Sequence, residues 1–225
     1  MIICFTSNAQ TIYSQLERKS FEFKNNNSDS FVYYKLEAIK EYTAQHKIND
    51  AARCFQSLGF YYKESESNSL KAFYYISCAL ENYGAIKDQS SIANLQKYLG
   101  ILHSELGQFE NGDRQIRESM RIYKKLGIQS GFHVACFDLG ILKFNTATYD
   151  SCLYYLSKSK SYWLREQDSV RIFSINNWLL KCYDKLQRTD LYFRCKNENE
   201  LLLEKNNIPE FLKNMYFDII NKGRL

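Results

Sequence analysis

The chain has 225 residues with 30 basic and 25 acidic side chains, a formal charge of +5 spread almost evenly, from 6 against 6 in residues 1–50 to 10 against 7 in residues 171–225. No basic tail or arm of the kind that grips a phosphate backbone is present, which argues against direct nucleic-acid binding. One proline and nine glycines are too few for the turns of an all-β domain, and no apolar run is long enough to span a bilayer.

Residues 1–10, "MIICFTSNAQ", end in a Ser-Asn-Ala that suits a signal-peptidase site. Their apolar part covers only Ile2 to Phe5, and no Lys or Arg precedes it. Two readings stand level: the remnant of a signal peptide whose start lies upstream, or a frayed N-terminus. The chain is exported in the first case and cytoplasmic in the second. From residue 11 onward the periodicity predicts helix pairs over about 11–47, 48–87, 88–128, 129–168 and 169–206, then a terminal helix over 209–222. Within a pair, a polar break such as "KNNNSDS", "KESESNS" or "NTATYDS" separates the first helix from the second. Pro209 fits a first helical position and Gly223 a stop, while Phe211, Leu212, Met215, Tyr216 and Ile219 form one apolar stripe between them.

The stretches repeat. Leu58-Gly59, Leu99-Gly100, Leu139-Gly140 and Leu179-Leu180 follow one another at a nearly constant interval. Ile92, Leu95, Leu99, Leu102 and Leu106 return two periods later as Ile172, Ile175, Leu179, Cys182 and Leu186, apolar at every place. Tyr33-Tyr34, Tyr74-Tyr75 and Tyr154-Tyr155 keep the same schedule. Neighbours on a helix point about 100° apart, so one tyrosine of each pair is expected to pack between helices and the other to cover the unit boundary. A helix pair of this kind cannot bury its apolar face alone and must stack on its neighbours.

The stretch "FQSLGFYY" at 55–62, followed by Ala72 and Ile76, resembles the tetratricopeptide (TPR) signature W-x-x-L-G-x-x-Y then A-x-x-x-F, with Phe55 in the tryptophan place. "QKYLGILH" with Gly112 and Ile116, and "CFDLGILK" with Cys152 and Leu156, are weaker copies. "NNWLLKCY" keeps Tyr183 but has Leu180 where a small residue belongs. The period is 40–41 instead of the family's 34, as in long-period TPR arrays of bacterial regulators, sensor proteins and kinesin light chains. The resemblance implies an all-α α-solenoid, a right-handed superhelix of stacked antiparallel helix pairs with about ten helices. It also implies a small-residue crossing at Gly59 with Ala72, Gly100 with Gly112, and Gly140 with Cys152, where the two helices of a pair close on each other.

No catalytic, cofactor or metal constellation is readable. His46, His103 and His133 have no partner at ligand spacing. His103 is expected to be packed or half-buried, and the other two to be exposed near helix ends. The seven cysteines (Cys4, Cys54, Cys78, Cys136, Cys152, Cys182 and Cys195) contain no C-x-x-C pair and are expected to be reduced core residues. P-loops, nucleophile elbows and G-x-G-x-x-G fingerprints are missing. Arg114, Arg117, Arg121, Lys124 and Lys125 form a basic stripe, expected to be a solvated helix back balanced by Asp113 and Glu118.

What remains is the concave groove that first-helix side chains line in the family. Carried over by the Leu-Gly register, the groove positions are Arg53, Gln56, Ser57, Phe60, Lys63 and Glu64, then Asn94, Lys97, Tyr98, Ile101, Ser104 and Glu105. The third set is Val134, Phe137, Asp138, Ile141, Phe144 and Asn145. The fourth is Ser174, Asn177, Trp178, Lys181, Asp184 and Lys185. Aromatic, amide and charged groups mixed in this way suit an extended peptide or a partner helix. The expected function is a non-enzymatic scaffold binding a protein or peptide there. The alternatives are a sensory or regulatory TPR module, truncated from a larger protein, and, more weakly, an enzyme on an α-solenoid.

Overall fold

The computed structural model describes residues 15, 16, 18–20, 22, 28–205 and 207–222, and every regular element among them is helical. Residues 15, 16, 18–20 and 22 are helical, and ten further helices follow one another: α1 (Ser28–Ala44), α2 (Ile48–Glu64), α3 (Ser69–Ala85), α4 (Gln89–Glu105), α5 (Phe109–Leu126), α6 (Gln129–Asn145), α7 (Tyr149–Arg165), α8 (Ser169–Lys185), α9 (Thr189–Lys205) and α10 (Glu210–Lys222). The fold is an all-α helical repeat. Residues 1–10 lie outside the described residues, and so does Gly223.

The helices start at a nearly even interval, half the period of the sequence repeat. The eight turns from α1 to α9 are built the same way. A residue with positive φ closes the preceding helix at His46, Ser67, Lys87, Gly107, Gly127, Ala147, Gln167 and Gln187. The next amide then donates back to a carbonyl one turn inside that helix, as in Lys47 N–H to Tyr42 O (2.9 Å), Asp88 N–H to Tyr83 O (3.0 Å) and Arg188 N–H to Tyr183 O (2.9 Å). This backward bond satisfies carbonyls that a helix end leaves orphaned. At Gly107 and Gly127 a Cβ would meet no atom within 4 Å, so glycine serves the backbone angle there and not the packing. The six other residues accept a left-handed cost of about 1–2 kcal/mol each. At the start of α3, α4 and α8 the side chains of Asn68, Asp88 and Asp168 accept the amides of Lys71, Ser91 and Arg171.

The chain divides into two compact units, one ending at Gln108 and one beginning at Phe109. In the first, α1 packs on α2, α2 on α3 and α3 on α4. Its core is continuous, running from Phe31, Ala38 and Tyr42 through Leu58, Tyr61, Ala72 and Ile76 to Leu95, Leu99 and Leu102. In the second, α5 to α9 pack successively, and α8 also receives α6 and α10. Its core centres on α8, where Ile172, Phe173, Ile175, Leu179, Leu180 and Cys182 are buried with Leu156, Trp163, Tyr192, Leu212 and Tyr216. Ile116, Ala135, Leu139 and Leu142 form a smaller cluster.

The close crossings inside each unit are sharper than the motif implies. A Cβ on Gly59 would lie 2.6 Å from Ile76 Cδ1 and 3.2 Å from the Ile76 backbone nitrogen. One on Gly140 would lie 2.7 Å from Leu156 Cδ2 and 3.4 Å from the Leu156 nitrogen. Each glycine thus meets a residue one turn beyond the expected partners Ala72 and Cys152, both of which are fully buried. Gly100 and Gly112 are buried as well. The tyrosine pairs divide their labour: Tyr33, Tyr74 and Tyr154 are exposed, whereas Tyr34, Tyr75 and Tyr155 are half-buried.

Candidate partner-binding groove

In the first unit the predicted groove side chains stand on α2 and α4. Phe60 and Tyr98 are half-buried and meet with ring centroids 4.4 Å apart. Lys63 bridges to Glu105 at 2.6 Å, and Ser69 donates to the same carboxylate at 3.1 Å. Burial, reinforced by Glu64 and Glu105, raises the Tyr98 phenol well above its ordinary pKa, so it stays protonated. Gln56 accepts the Tyr83 hydroxyl at 3.1 Å, and Arg53 leans on Asp50 at 3.2 Å. Asn94, Lys97 and Ile101 are half-buried. This face is largely satisfied by its own side chains.

The second unit differs. Phe144 of α6 meets Trp178 of α8 edge to face at 5.5 Å, and the Lys181 ammonium sits 4.3 Å over the Trp178 ring. Beside them a cleft of about 530 Å3 opens, walled by Phe144, by Lys181, Asp184 and Lys185 of α8, and by Met215, Asp218, Ile219 and Lys222 of α10. Its volume falls in the range of ligand pockets. Lys222 bridges to Asp218 at 3.6 Å. Lys181 is half-buried, and its ammonium touches the Trp178 ring without a carboxylate in bridging range among the described residues. Burial pulls its pKa down against the opposing pull of Asp218. Phe137 and Val134 line a smaller cavity of about 70 Å3 with Trp163, Arg171, Ser174 and Ile175. Asp138 and Ile141 are half-buried on the same helix.

Three expectations change. The register places Asn177 in the groove, but it is fully buried and donates to the Leu212 carbonyl at 3.2 Å. The reason is α10, which covers that side of α8. His133, expected at the surface, is also buried, stacked parallel on Tyr162 at 4.4 Å with its backbone carbonyl accepting the Ser159 hydroxyl at 2.8 Å. The α10 wall of the cleft is absent from the expected groove, although the sequence carries the signal. One period on from Ser174, Asn177, Trp178 and Lys181 stand Met215, Asp218, Ile219 and Lys222, the four cleft residues of α10.

Elsewhere the surface is ordinary. On α5, Arg117 bonds Asp113 (2.6 Å) and the Tyr155 hydroxyl (2.9 Å), while Arg121 pairs with Glu118 at 2.6 Å. Burial alone would raise the Asp113 carboxyl, but hydrogen bonds from Arg117 and Lys143 outweigh it and hold it below its ordinary value. His103 is half-buried, its Nδ1 2.7 Å from Gln108 Oε1. His46 lies in an exposed turn. Among the described residues no three His, Cys, Asp or Glu side chains gather in a metal-binding group, and no helix is long and apolar enough to cross a membrane.

No protein-family model and no curated protein matches the chain. Solved structures do. BtubC (BKLC) from P. vanneervenii superposes with a TM-score of 0.77 at 12% identity, covering 91% of this chain and 86% of that one. A signal transduction ATPase with numerous domains (STAND) that carries a tetratricopeptide repeat sensor, from Pyrococcus horikoshii, gives 0.71 at 16% identity, covering 94% of this chain but 36% of that one. The nearly identical TPR-like repeats of a putative kinesin light chain from Podosopora anserina give 0.60 at 10% identity, covering 96% and 98%. At these identities the likeness establishes the fold, a TPR-like helical repeat.

Proposed function

We propose that this TPR-like array is a non-enzymatic scaffold that holds a peptide or partner helix against the groove of its second unit. One observation carries the reading. The α6–α8–α10 cleft sets the half-buried Phe144 ring, with Trp178 beside it, next to the half-buried Lys181 ammonium, and such rings are typical anchors of a bound chain. The first unit's groove, closed by the Lys63–Glu105 bridge and the Phe60–Tyr98 contact, is the secondary surface. On this reading the chain needs no cofactor and binds no nucleic acid, since Asp113 and Glu118 already neutralise part of the arginine stripe.

The test is quantitative capture with folded wild-type protein and two variants. Phe144→Ala is expected to reduce retention of a bound partner by at least about tenfold, the loss of one aromatic anchor worth roughly 1.4 kcal/mol or more. Arg121→Ala, on the outer helix, should retain it unchanged. Equal retention by all three proteins would rule the groove out. A sensory role is the second reading, supported by the likeness to the STAND protein's tetratricopeptide repeat sensor. It uses the same groove for a signalling partner.

A further inference from the structure

Two of the buried thiols form a pair that the sequence does not announce. Cys152, on α7, and Cys182, on α8, share no motif spacing, yet their Sγ atoms lie 2.7 Å from each other. Both side chains are fully buried. The pair sits where the second helix of one repeat meets the first helix of the next, inside the cluster formed by Leu156, Ile175, Leu179 and Tyr192. Cys195 instead points its sulfur at the Asn176 carbonyl at 3.6 Å, and Cys78 is half-exposed on α3. A shift of less than about 1 Å brings the two sulfurs to bonding distance.

We propose that Cys152 and Cys182 are a dithiol site that closes to a disulfide and ties the two repeats together. The oxidant is a peroxide. One thiolate attacks a peroxide oxygen, breaking the O–O bond and releasing water or an alcohol, and leaves a sulfenic acid. The second thiol attacks that sulfur, forming the S–S bond and expelling the sulfenic oxygen as water. Two electrons leave the two sulfurs, the peroxide takes both, and the two thiol protons leave in the water or alcohol formed. The chain closed by the bond includes all of α8 up to Cys182, so the disulfide removes conformations from the unfolded state and stabilises the second unit. Burial disfavours the attacking thiolate and shields it from reagents, so closure runs through opening of the α7–α8 contact and is slow in the folded chain.

The full-length reduced protein, treated with hydrogen peroxide and then alkylated in denaturant, tests this directly. The expected product carries two alkyl groups fewer than the reduced, alkylated control and yields one linked peptide pair joining Cys152 to Cys182. Its urea midpoint, followed by tryptophan fluorescence, lies above that of the reduced protein. Cys152→Ala and Cys182→Ala should each abolish the link, with folding confirmed by far-UV circular dichroism. If either variant fails to fold, the wild-type peptide map still decides. Peroxide treatment that leaves both residues alkylatable, or that gives sulfinic acids or mixed linkages through Cys78 instead, overturns the proposal.

Discussion

The two units solve the same packing problem with different interiors. From α2 to α4 the fully buried positions are filled by Ala, Gly, Cys, Leu, Ile and Tyr. In the second unit a polar ladder runs through the core instead. Asn176 Nδ2 donates to Asn199 Oδ1 (2.9 Å), Asn199 Nδ2 to Asn177 Oδ1 (2.9 Å), and Asn177 Nδ2 to the Leu212 carbonyl (3.2 Å). All three asparagines are fully buried. Helix length and turn geometry are nearly identical in the two units, so they do not depend on what fills the interior. What the ladder adds is register, because α8, α9 and α10 must align before its donors and acceptors meet.

The largest test of this contrast is Asn199→Ala. It strands Asn176 Nδ2 and Asn177 Oδ1 inside the core, at about 1–3 kcal/mol for each unsatisfied group, so a total loss of about 3–4 kcal/mol is expected. Trp163 and Trp178, the chain's two tryptophans, both lie in the second unit and report on their surroundings there. Their fluorescence should show a much lower urea midpoint. A midpoint within about 1 kcal/mol of wild type would mean that the ladder is incidental, as surface substitutions are.

A smaller effect probes what the units share. Gly59→Ala places a methyl 2.6 Å from the Ile76 side chain and 3.2 Å from its backbone, while Gly140→Ala meets Leu156 with more room, 3.4 Å to the backbone. Overpacking costs about 1–3 kcal/mol, and the better helix propensity of alanine returns roughly 1 kcal/mol. A net loss of about 1 kcal/mol is expected at Gly59 and less at Gly140. The Gly59 variant should shift the circular dichroism transition, and the Gly140 variant should shift the tryptophan transition as well. Stabilisation by either substitution would show that the crossings have slack.

Much of the repeat is legible because apolar spacing survives in sequence even where the signature residues do not. The full-period ruler finds the Leu-Gly positions, but the half-period beat of the turns escapes it. Among the described residues only two of the eight with positive φ are glycine, and His46, Lys87 and Gln167 give no turn signal. A fainter signal is present one turn upstream, where Tyr42, Tyr62, Tyr83, Tyr123, Trp163 and Tyr183 fall in step with the half period. Of the cleft's walls, Phe144 of α6 and Lys181, Asp184 and Lys185 of α8 stand at expected groove positions, whereas the α10 residues do not. Asn177 is misassigned because burial at that position depends on a helix further along the chain. The Cys152–Cys182 pair is invisible for the same reason: a helix-to-helix contact brings its members together, and no local pattern encodes that contact.

The smallest effect separates the units by pH. His133 lies in the second unit with its Nδ1 buried and unbonded, and burial, reinforced by Lys158 and Arg165, holds its pKa below the ordinary value. The unfolded chain, titrating at about 6.5, therefore binds more protons than the folded one between the two values. Stability from this residue is constant above about pH 6.5 and falls as the pH drops from there through the folded pKa. His133 is the histidine of the second unit, where both tryptophans lie, so acid should lower the tryptophan-monitored melting temperature through it. Comparing wild type with His133→Gln at pH 7.5 and pH 5.5 isolates its share, because carboxylates titrate in both proteins alike. The variant should lose less on acidification. An equal loss would place the acid sensitivity in the carboxylates, with Asp113, held below its ordinary pKa by Arg117 and Lys143, the first of them to replace.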